Sequence, residues 1–480
     1  MDRTLEVGDD WEDMIELHLF QAKDVVVILS ENSLKSKWVL HEGSMAHALK
    51  KNIYPLAIMD VKAEELPIWA QKIQYQRFVG IDYRQALNEL IGRLTPVNQL
   101  KKLLVKQCDI FSQTNVLPSL EFLKNIEPAI KESPIQNREI ASLMLLAALK
   151  NELHVDFWVN LALQNDVDIY SLLQDRLDEE EFRFRKSAIQ ALQLVITADQ
   201  GNILLRFLQD PYPQVRKAAI LGLWNIPDLR PQLLNALTYE CYIPAGIFRM
   251  GMEELPVIEE YSRSLSEFDK QGFAEYPSHE VYTDDYFIDK FPITNQDYLR
   301  FLLDTKPKAI KTEEFSSSIT GKELLSVTNL DWDDAYEYAR WAGKNLPTEA
   351  EWEKAARGTE AYLFPWGNRF DASKAHISKN KKTSLKPVNA FSPQGDSVYG
   401  VADMVGNVWE WVSDWYQDDY YRSAAQFINP QGPSEGKQKV LRGGSFREAE
   451  YNCNAYRRIG RSPAQKSDEI GFRCSFLVQE

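Results

Sequence analysis

The sequence has few cysteines and no long apolar run, and these absences exclude several protein classes. Four of its 480 residues are cysteines: Cys108, Cys241, Cys453 and Cys474. Their spacing fits no metal-ligand pattern, and small secreted domains that depend on disulfides carry many more. No apolar run reaches the length of a membrane helix, and the N-terminus shows no basic-then-apolar signal segment. We therefore expect a protein of the reducing cytoplasm, without a membrane as partner.

Basic clusters are also scarce. The chain has 55 Lys and Arg against 70 Asp and Glu, which gives a net charge of -15. Nucleic acids and anionic surfaces bind clustered Lys and Arg, so we expect no nucleic-acid partner. A hydrophobic content of 44% and a charged content of 26% are typical of globular proteins. The length predicts two to four domains.

The first segment, residues 1–95, alternates strand and helix patterns. Residues 24–30 are apolar without alternation, which predicts a buried parallel strand. Residues 36–49 fit a helix with Ser36 as its N-cap, and residues 53–60 fit a second strand. This alternation predicts an α/β domain with a doubly wound parallel sheet.

The second segment, residues 96–238, reads as all helix. Residues 184–192, Phe-Arg-Lys-Ser-Ala-Ile-Gln-Ala-Leu, recur 31 positions later as residues 215–223, Val-Arg-Lys-Ala-Ala-Ile-Leu-Gly-Leu. The pattern resembles HEAT-like repeats, whose paired helices stack into an all-α solenoid. We expect Arg185 and Arg216 to bond neighbouring turns. The alternative is an irregular helical domain.

Three features of the first segment resemble a TIR domain, which has a flavodoxin-like fold. They are residues 7–11, Val-Gly-Asp-Asp-Trp, residues 30–38, Ser-Glu-Asn-Ser-Leu-Lys-Ser-Lys-Trp, and Glu42. The resemblance covers only the later part of such a domain, which lacks its first strands here. We expect either that the true start lies upstream of Met1 or that the half-domain is structurally compromised, because the first strand is central in this fold.

Trp38 and Glu42 lie four residues apart and therefore share one helix face. TIR domains that cleave NAD use a glutamate and a tryptophan at these positions, against the ribose next to nicotinamide. A carboxylate there can stabilise the positive charge that develops as nicotinamide leaves. The resemblance thus implies NAD as a substrate with Glu42 and Trp38 as catalytic residues. Other TIR domains act only by self-association, and the residues alone also fit a capped surface helix.

The third segment, residues 239–480, is rich in tryptophan, glycine and proline. Its motifs are Leu-Pro-Thr-Glu-Ala-Glu-Trp-Glu at 346–353, Gly-Asn-Val-Trp-Glu-Trp-Val-Ser-Asp at 406–414, Lys-Val-Leu-Arg-Gly-Gly-Ser-Phe at 439–446 and Gly-Phe-Arg-Cys at 471–474. These motifs resemble the formylglycine-generating enzyme, or sulfatase-modifying factor, family. The resemblance implies an α+β, C-type-lectin-like fold.

Two helices are expected in this segment, over residues 333–342 and 348–357. Thr348 and Glu351 have the spacing of a capping box at the start of the second helix.

Enzymes of this family oxidise a substrate cysteine with copper(I) held by two cysteines. Here Glu448 occupies the first cysteine position and Cys453 the second. Soft thiolates select copper(I) and a carboxylate replaces them poorly, which argues against copper and against formylglycine-generating activity. Cys453 is expected to be a structural thiol.

The resemblance also implies a structural Ca²⁺ ion. Its ligands would be the side chains of Asp403 and Glu410 and the carbonyl groups of Gly406 and Val408. Oxygen donors on irregular backbone suit this hard cation. The alternative is that Glu410 satisfies buried backbone donors.

The stretch after Gly443-Gly444 lines the substrate groove in the enzymes. On the same scaffold it forms the diversified ligand-binding patch in variable proteins of diversity-generating retroelements. The patch predicted here consists of Phe446, Arg447, Glu448, Tyr451, Asn452, Asn454 and Tyr456. A mixture of aromatic and polar side chains suits a protein or peptide ligand. Arg442, Arg457 and Arg473 are expected to brace the fold instead.

The sequence thus favours a receptor-like signalling or defence protein of three parts. Its C-terminal domain would bind a protein or peptide, its helices would scaffold, and its TIR part would signal by assembly. One alternative is an NAD glycohydrolase that uses Glu42. A second is a copper-dependent oxidase, against which the missing thiol argues.

Overall fold

The structure is a computed structural model that describes most of the chain. The described residues are 22, 24–29, 34–57, 76–77, 96–178, 181–252, 274–306, 311–377, 383–423 and 427–478. They divide into two units, residues 1–153 with 160–167 and residues 154–159 with 168–480. Within the described stretches, no helix combines the length and apolar character that crossing a membrane requires.

A parallel sheet begins the first unit. Strands β1 (Asp24–Leu29), β2 (Asn52–Ala57) and β3 (Gln76–Arg77) pair in parallel in the order β1-β2-β3. Helix α1 (Lys37–Ala48) follows β1, and the side chain of Ser36 accepts from the Val39 amide at its start. The predicted helix is therefore present, and both predicted strands are present over their described residues, while residues 30 and 58–60 lie outside the described part. The predicted motif at residues 7–11 lies outside the described residues, as does the side chain of Trp38.

Helices occupy the middle of the chain. They are α2 (Pro96–Thr114), α3 (Leu120–Glu132), α4 (Arg138–Lys150), α5 (Val155–Gln164) and α6 (Ile169–Gln174). Ser119 and Asn137 cap α3 and α4 by accepting from backbone amides at the third helical position. Nine residues of α4 are buried, so this helix forms a large part of the local core.

Further helices belong to the second unit. They are α7 (Phe182–Gln193), α8 (Ala198–Gly201), a 3₁₀ helix (Asn202–Gln209), α9 (Pro213–Trp224), a 3₁₀ turn (Pro227–Leu229) and α10 (Arg230–Ala236). Arg185 binds both carboxylate oxygens of Asp210, at 2.8 and 3.1 Å. Arg216 donates to the Asp210 carbonyl at 2.9 Å. These two arginines connect α7, the 3₁₀ helix and α9. Whether the helices belong to a HEAT-like series stays a prediction.

Short strands form the C-terminal domain. They are β4 (Glu240–Ile243), β5 (Gly246–Met250), β6 (His279–Thr283), β7 (Tyr286–Asp289), β8 (Trp409–Trp415), β9 (Lys439–Arg442), β10 (Arg458–Arg461), β11 (Ile470–Phe472) and β12 (Ser475–Leu477). A four-stranded sheet has the order β10-β9-β8-β11, and a three-stranded sheet has the order β12-β7-β4. Strands β5 and β6 form a separate two-stranded sheet. The pair β8-β11 is parallel and the other neighbours are antiparallel.

The helices of this domain are α11 (Asn295–Thr305), α12 (Thr312–Ser318), α13 (Trp332–Trp341), α14 (Glu349–Arg357) and α15 (Tyr420–Ser423). Both predicted helices are therefore present. The capping box of Thr348 and Glu351 at the start of α14 is confirmed.

Helix α14 positions the site because it is buried on nearly all sides. Trp352, Ala355 and Ala356 pack in one hydrophobic cluster with Ile243 and Tyr286. The charged residues Glu349, Glu353, Lys354 and Arg357 of the same helix are also buried. A buried charge needs a partner of opposite sign. The partners of Glu349 and Glu353 come from β9 and β10, which flank the loop described next. Arg357 pairs with Glu353 of the same helix, and Lys354 donates to backbone carbonyl groups instead.

Candidate functional site

A loop of twelve residues, 445–456, connects β9 to β10 after the two glycines. Gly443 and Gly444 have φ values of +93° and +82°, a region that side chains rarely adopt. A Cβ atom on Gly444 would lie 2.6 Å from the Cys453 Sγ atom. The double glycine therefore lets the chain turn tightly against Cys453. We call residues 445–456 the crest loop.

The crest loop contains Glu448 and Cys453, the two positions at which the sequence resemblance implies copper ligands. Cys453 is fully buried, and its thiol lies 3.6 Å from the Ser445 carbonyl. Burial, with the nearby charge of Glu448, raises the pKa of Cys453 well above that of a free thiol. Glu448 accepts a hydrogen bond from the Asn452 amide at 2.8 Å. A protonated thiol beside a carboxylate does not fit copper(I), which binds thiolates.

Fewer residues of the predicted ligand patch are exposed than the sequence suggested. Phe446, Asn452 and Asn454 are only 2, 4 and 4% exposed, so the prediction that they line the surface is wrong. The Phe446 ring stacks on His376 at a centroid distance of 6.0 Å, which turns it inward. Residues 447–450 are partly exposed. Tyr451 is 55% exposed, and Tyr456 is half-buried.

The first end of the crest loop is tied to the segment before β11. The Ser445 hydroxyl donates to Glu469. Arg447 donates to both carboxylate oxygens of Asp468 at 2.6 Å and to Glu469 at 3.1 Å. Two carboxylates therefore neutralise the Arg447 charge. Paired charge-assisted bonds of this geometry fix orientation as well as position.

The second end of the loop is held by Asn454 and Arg457. The Asn454 amide donates to the Tyr451 carbonyl at 3.0 Å and accepts from the Arg457 amide at 2.8 Å. The Arg457 guanidinium donates to Glu275 at 3.2 Å. These contacts leave the turn around Tyr451 as the outermost part of the loop.

Arg442 links the loop to helix α14. It donates to Glu349 at 3.0 Å and to Glu353 at 2.6 Å, and also to the carbonyl groups of Ala455 and Tyr456. Arg458 binds both oxygens of Glu349, at 2.7 and 3.0 Å. The expectation that Arg442 braces the fold agrees with this geometry. The loop is thus anchored on fully buried ion pairs.

The residues of the predicted calcium site lie beside this network. Both oxygens of Glu410 accept from Arg473 at 2.7 Å, and one also accepts from the Trp352 indole at 2.8 Å. The Asp403 carboxylate accepts from the Asn407 amide at 2.7 Å. Burial raises the pKa of Asp403 to about 7. A bound cation would stabilise the buried carboxylate of Asp403. The carboxylate of Glu410, in contrast, is already paired with Arg473, so a metal ion there would have to compete with the Arg473 guanidinium. The residues fit calcium in part, and the site stays a prediction.

Glu42 lies on α1, in the first unit. Its side chain is half-buried, and burial raises the pKa of its carboxyl group. A partly desolvated carboxylate at this position is compatible with the predicted NAD chemistry, which stays a prediction.

Comparison with known families decides the identity of the C-terminal domain. Residues 227–476 match the family model of the sulfatase-modifying factor enzyme 1-like domain. The chain belongs to this family. Residues 1–91 match the TIR domain model, which confirms the resemblance inferred from the sequence.

Relatives of this sulfatase-modifying factor domain include active and inactive proteins. The chain is 30% identical to the mouse formylglycine-generating enzyme over 299 residues, which are 50% of this chain and 75% of that protein. It is 31% identical to the mouse inactive C-alpha-formylglycine-generating enzyme 2 over 313 residues, 53% of this chain and 92% of that protein. Among solved structures, Treponema denticola variable protein 1 is 19% identical over 49% of this chain and 94% of its own, with a TM-score of 0.37.

Sequence reasoning missed two parts of this sulfatase-modifying factor site. One is the clamp from Ser445 and Arg447 to Glu469, whose members are separated by more than twenty residues. The other is the buried network on α14. Its sequence signal was present, since Glu349 and Glu353 lie on either side of Trp352 in a helix that also carries core alanines.

Proposed function

We propose that the C-terminal domain is the ligand-recognition domain of a receptor-like signalling or defence protein, with the crest loop as its binding surface. The observation that carries this proposal is the pair Glu448 and Cys453. At the position where family enzymes hold copper, one thiol is replaced and the other is buried and held in its protonated form. Copper(I) chemistry needs two accessible thiolates. The inactive mouse relative supports a non-catalytic use of the same scaffold.

The anchoring of the crest loop supports a role in binding. Both ends are fixed by charged contacts, through Arg447 at one end and Arg442 and Arg457 at the other. A loop already held in one conformation loses little entropy when a ligand binds. The exposed ring of Tyr451 offers a large, stiff contact of the kind enriched in binding surfaces.

In finer detail, we propose that the ligand is a protein or peptide. We also propose that the amino-acid sequence of the crest loop is diversified, as in variable proteins of diversity-generating retroelements. The pattern of burial supports this detail. Residues 447–451 are the most exposed stretch of the loop, while the neighbours on both sides are buried or anchored. Exposed positions on a fixed frame can change in sequence without loss of fold.

For the first unit we propose signalling by TIR–TIR self-association, with the helical segment as scaffold. One observation favours an enzymatic alternative, namely that Glu42 is half-buried on α1. If this part cleaves NAD, the full-length protein incubated with NAD releases nicotinamide and Glu42→Ala abolishes the release. Nicotinamide release that persists in Glu42→Ala contradicts the assigned role of Glu42.

The binding proposal is tested with the full-length protein and a random dodecapeptide library. The peptides that the wild-type protein selects are synthesised and their affinities measured. We expect Tyr451→Ala to weaken binding at least tenfold, because the mutation removes the largest exposed side chain of the loop. Tyr336→Ala, which alters a partly exposed tyrosine on α13, is the matched control and should leave binding unchanged. Stoichiometric copper together with conversion of a cysteine peptide to an aldehyde would overturn the proposal.

A further inference from the structure

We infer that the ligand-binding surface extends from the crest loop to a pocket in residues 366–374, where Arg369 binds an acidic side chain of the ligand. This inference rests on the proposed binding function and adds the chemical class of the ligand. That class is a protein or peptide segment in which Asp or Glu stands next to an apolar residue. We call this cavity the Trp366 pocket.

The Trp366 pocket is an open cavity of about 490 Å³ on the C-terminal domain. Its lining residues include the aromatic residues Trp366 and Phe370 and the charged residues Arg369, Asp371 and Lys374. Ligand pockets usually measure about 300–1,000 Å³ and combine aromatic walls with a few polar groups. The Trp366 pocket therefore has the size and the lining that a ligand side chain needs.

The charges of this lining are not balanced. Among the described lining residues, Arg369 and Lys374 are cations and Asp371 is the single acid, so one net positive charge remains in a chain of net charge -15. Asp371 accepts from the Ser373 hydroxyl at 2.6 Å and from its amide at 2.9 Å, and these bonds, with the Lys374 charge, lower the pKa of Asp371. Arg369 is exposed, and within the described part of the chain its side chain has no ion-pair partner. Its guanidinium is therefore the uncompensated charge of the pocket.

The backbone around the pocket is fixed by local contacts. Phe364 and Gly367 exchange two backbone hydrogen bonds, at 2.9 and 3.0 Å. The Trp366 indole donates to the Arg369 carbonyl at 2.9 Å, and its ring stacks on Phe364 at a centroid distance of 5.5 Å. A pocket that is already formed loses little conformational entropy when a ligand binds.

Leu363 connects this pocket to the crest loop. Its carbonyl group accepts from the Ala455 amide of the crest loop at 3.0 Å, and its own amide donates to the Asn368 side chain of the pocket at 3.0 Å. Trp366 packs against the hydrophobic cluster that contains Cys453 and Ala455. The side chain of Leu363 is 39% exposed. A peptide that lies on the crest loop can therefore reach the pocket across Leu363.

These features indicate the chemistry of the ligand. A guanidinium only donates hydrogen bonds, and it pairs with a carboxylate through two parallel bonds. A basic ligand group would meet repulsion at Arg369. Trp366 and Phe370 are partly exposed, so an apolar residue next to the acid would find aromatic contact. An acidic residue beside an apolar one therefore complements the pocket.

The experiment uses the full-length protein and a random dodecapeptide library as the probe. Wild-type protein should select peptides enriched in Asp and Glu over the unselected library. In a selected peptide, each Asp is then replaced by Asn and each Glu by Gln, one position at a time. We expect Arg369→Gln to weaken binding of the parent peptide about fivefold and to leave binding of one amide peptide unchanged, because that peptide has already lost the exposed ion pair. Arg422→Gln, which changes an exposed arginine outside the pocket, is the matched control and should bind like the wild type.

The outcomes separate this inference from the proposed function. Selected peptides without enrichment in Asp and Glu, or equal binding of the parent peptide by the wild type and Arg369→Gln, overturn the inference. An equal loss in Arg369→Gln for every amide peptide also overturns it, because no acid is then paired with the arginine. If Tyr451→Ala still weakens binding in these cases, the binding function stands and only the role of the Trp366 pocket falls. If neither variant changes affinity, both fall. Binding of inorganic phosphate that requires Arg369, with unchanged peptide affinity in Arg369→Gln, would assign the pocket to a small anion and overturn the inference.

Discussion

Arg442 and Glu353 form a fully buried ion pair, with 2.6 Å between Nη2 and Oε2. The same guanidinium also donates to the carbonyl groups of Ala455 and Tyr456. One side chain therefore joins helix α14 to the end of the crest loop. The stability of the domain and the conformation of its proposed binding surface should depend on the same contacts.

The first prediction concerns this pair. Arg442→Met removes the cation and leaves Glu349 and Glu353 buried with fewer partners, so we expect a loss of about 3–5 kcal/mol in unfolding free energy. Lys311→Met is the control, because the Lys311–Glu314 pair is 75 and 70% exposed and should contribute less than about 0.5 kcal/mol. Chemical denaturation, followed by tryptophan fluorescence, measures both. Equal losses in the two variants would contradict the assigned importance of the buried pair.

The second prediction is a pH dependence from Asp414. Burial, together with the nearby charge of Glu349, raises the pKa of Asp414 to about 7. Between the ordinary carboxyl pKa near 4 and this value, the folded protein binds a proton that the unfolded chain has lost. Stability should therefore decrease as the pH rises from about 4 to 7 and level off above 7.

Asp414→Asn tests this dependence. The amide keeps an acceptor for the Glu349 backbone amide, which donates to Asp414 at 2.7 Å. We expect the variant to be more stable than the wild type at pH 8, by an amount on the order of a few kcal/mol, and to be nearly equal at about pH 4, where the carboxyl group is protonated in both states. Thermal midpoints measured between about pH 4 and pH 8 decide the question. Parallel curves for the two proteins would rule out Asp414 as the titrating group.

The local parts of the fold could be predicted from the sequence, whereas the loop interior could not. Thr348 and Glu351 specify a helix start by their spacing alone, and the apolar run at 24–30 specifies a strand. The crest loop has no regular period, so nothing in its sequence tells which side chains point inward. Phe446 and Asn452 were expected at the surface for this reason and are buried.

Long-range ion pairs escaped prediction for a related reason. Glu349 and Arg458 are 109 residues apart, and each has several acceptable partners of opposite charge in the sequence. Only the packing of α14 against β9 and β10 selects the pairing. The chemical character of the site could be predicted more easily from the sequence, because it follows from the residue types at positions 448 and 453.

The third prediction concerns Gly444. Gly444→Ala would place a Cβ atom 2.6 Å from Cys453 Sγ in a left-handed backbone conformation. Gly343→Ala is the control, since Gly343 has φ +67° but nothing within 4 Å of the added atom. We expect about 1 kcal/mol of destabilisation for the control from its backbone strain, and about 2–4 kcal/mol for Gly444→Ala from strain plus the clash. Cys453 should also become reactive towards a maleimide in Gly444→Ala only. A Cys453 that stays unreactive would show that the loop absorbs the methyl group without opening.

The fourth prediction tests calcium. If Asp403, Glu410 and the Gly406 and Val408 carbonyl groups hold Ca²⁺, a concentration of ten times Kd should stabilise the protein by about 1.4 kcal/mol. Asp403→Asn should abolish the effect because the buried carboxylate is the group that a cation would neutralise. Asp371→Asn, which changes an aspartate outside the predicted ligand set, is the control. A wild-type thermal midpoint that does not change when calcium is added would contradict the predicted calcium site.

The fifth prediction concerns the boundary at residue 239. Glu240 on β4 accepts from Arg216 of α9 at 3.0 Å and from Lys344 at 2.9 Å, and all three side chains are buried. Gln214 and Lys217 of α9 also donate to the carbonyl groups of Trp341 and Gly343. A fragment of residues 239–480 loses these contacts and should unfold at a thermal midpoint at least 5 °C below that of residues 181–480. This difference corresponds to a few kcal/mol for a domain of this size. Equal midpoints for the two fragments would mean that the helices pack on the domain without stabilising it.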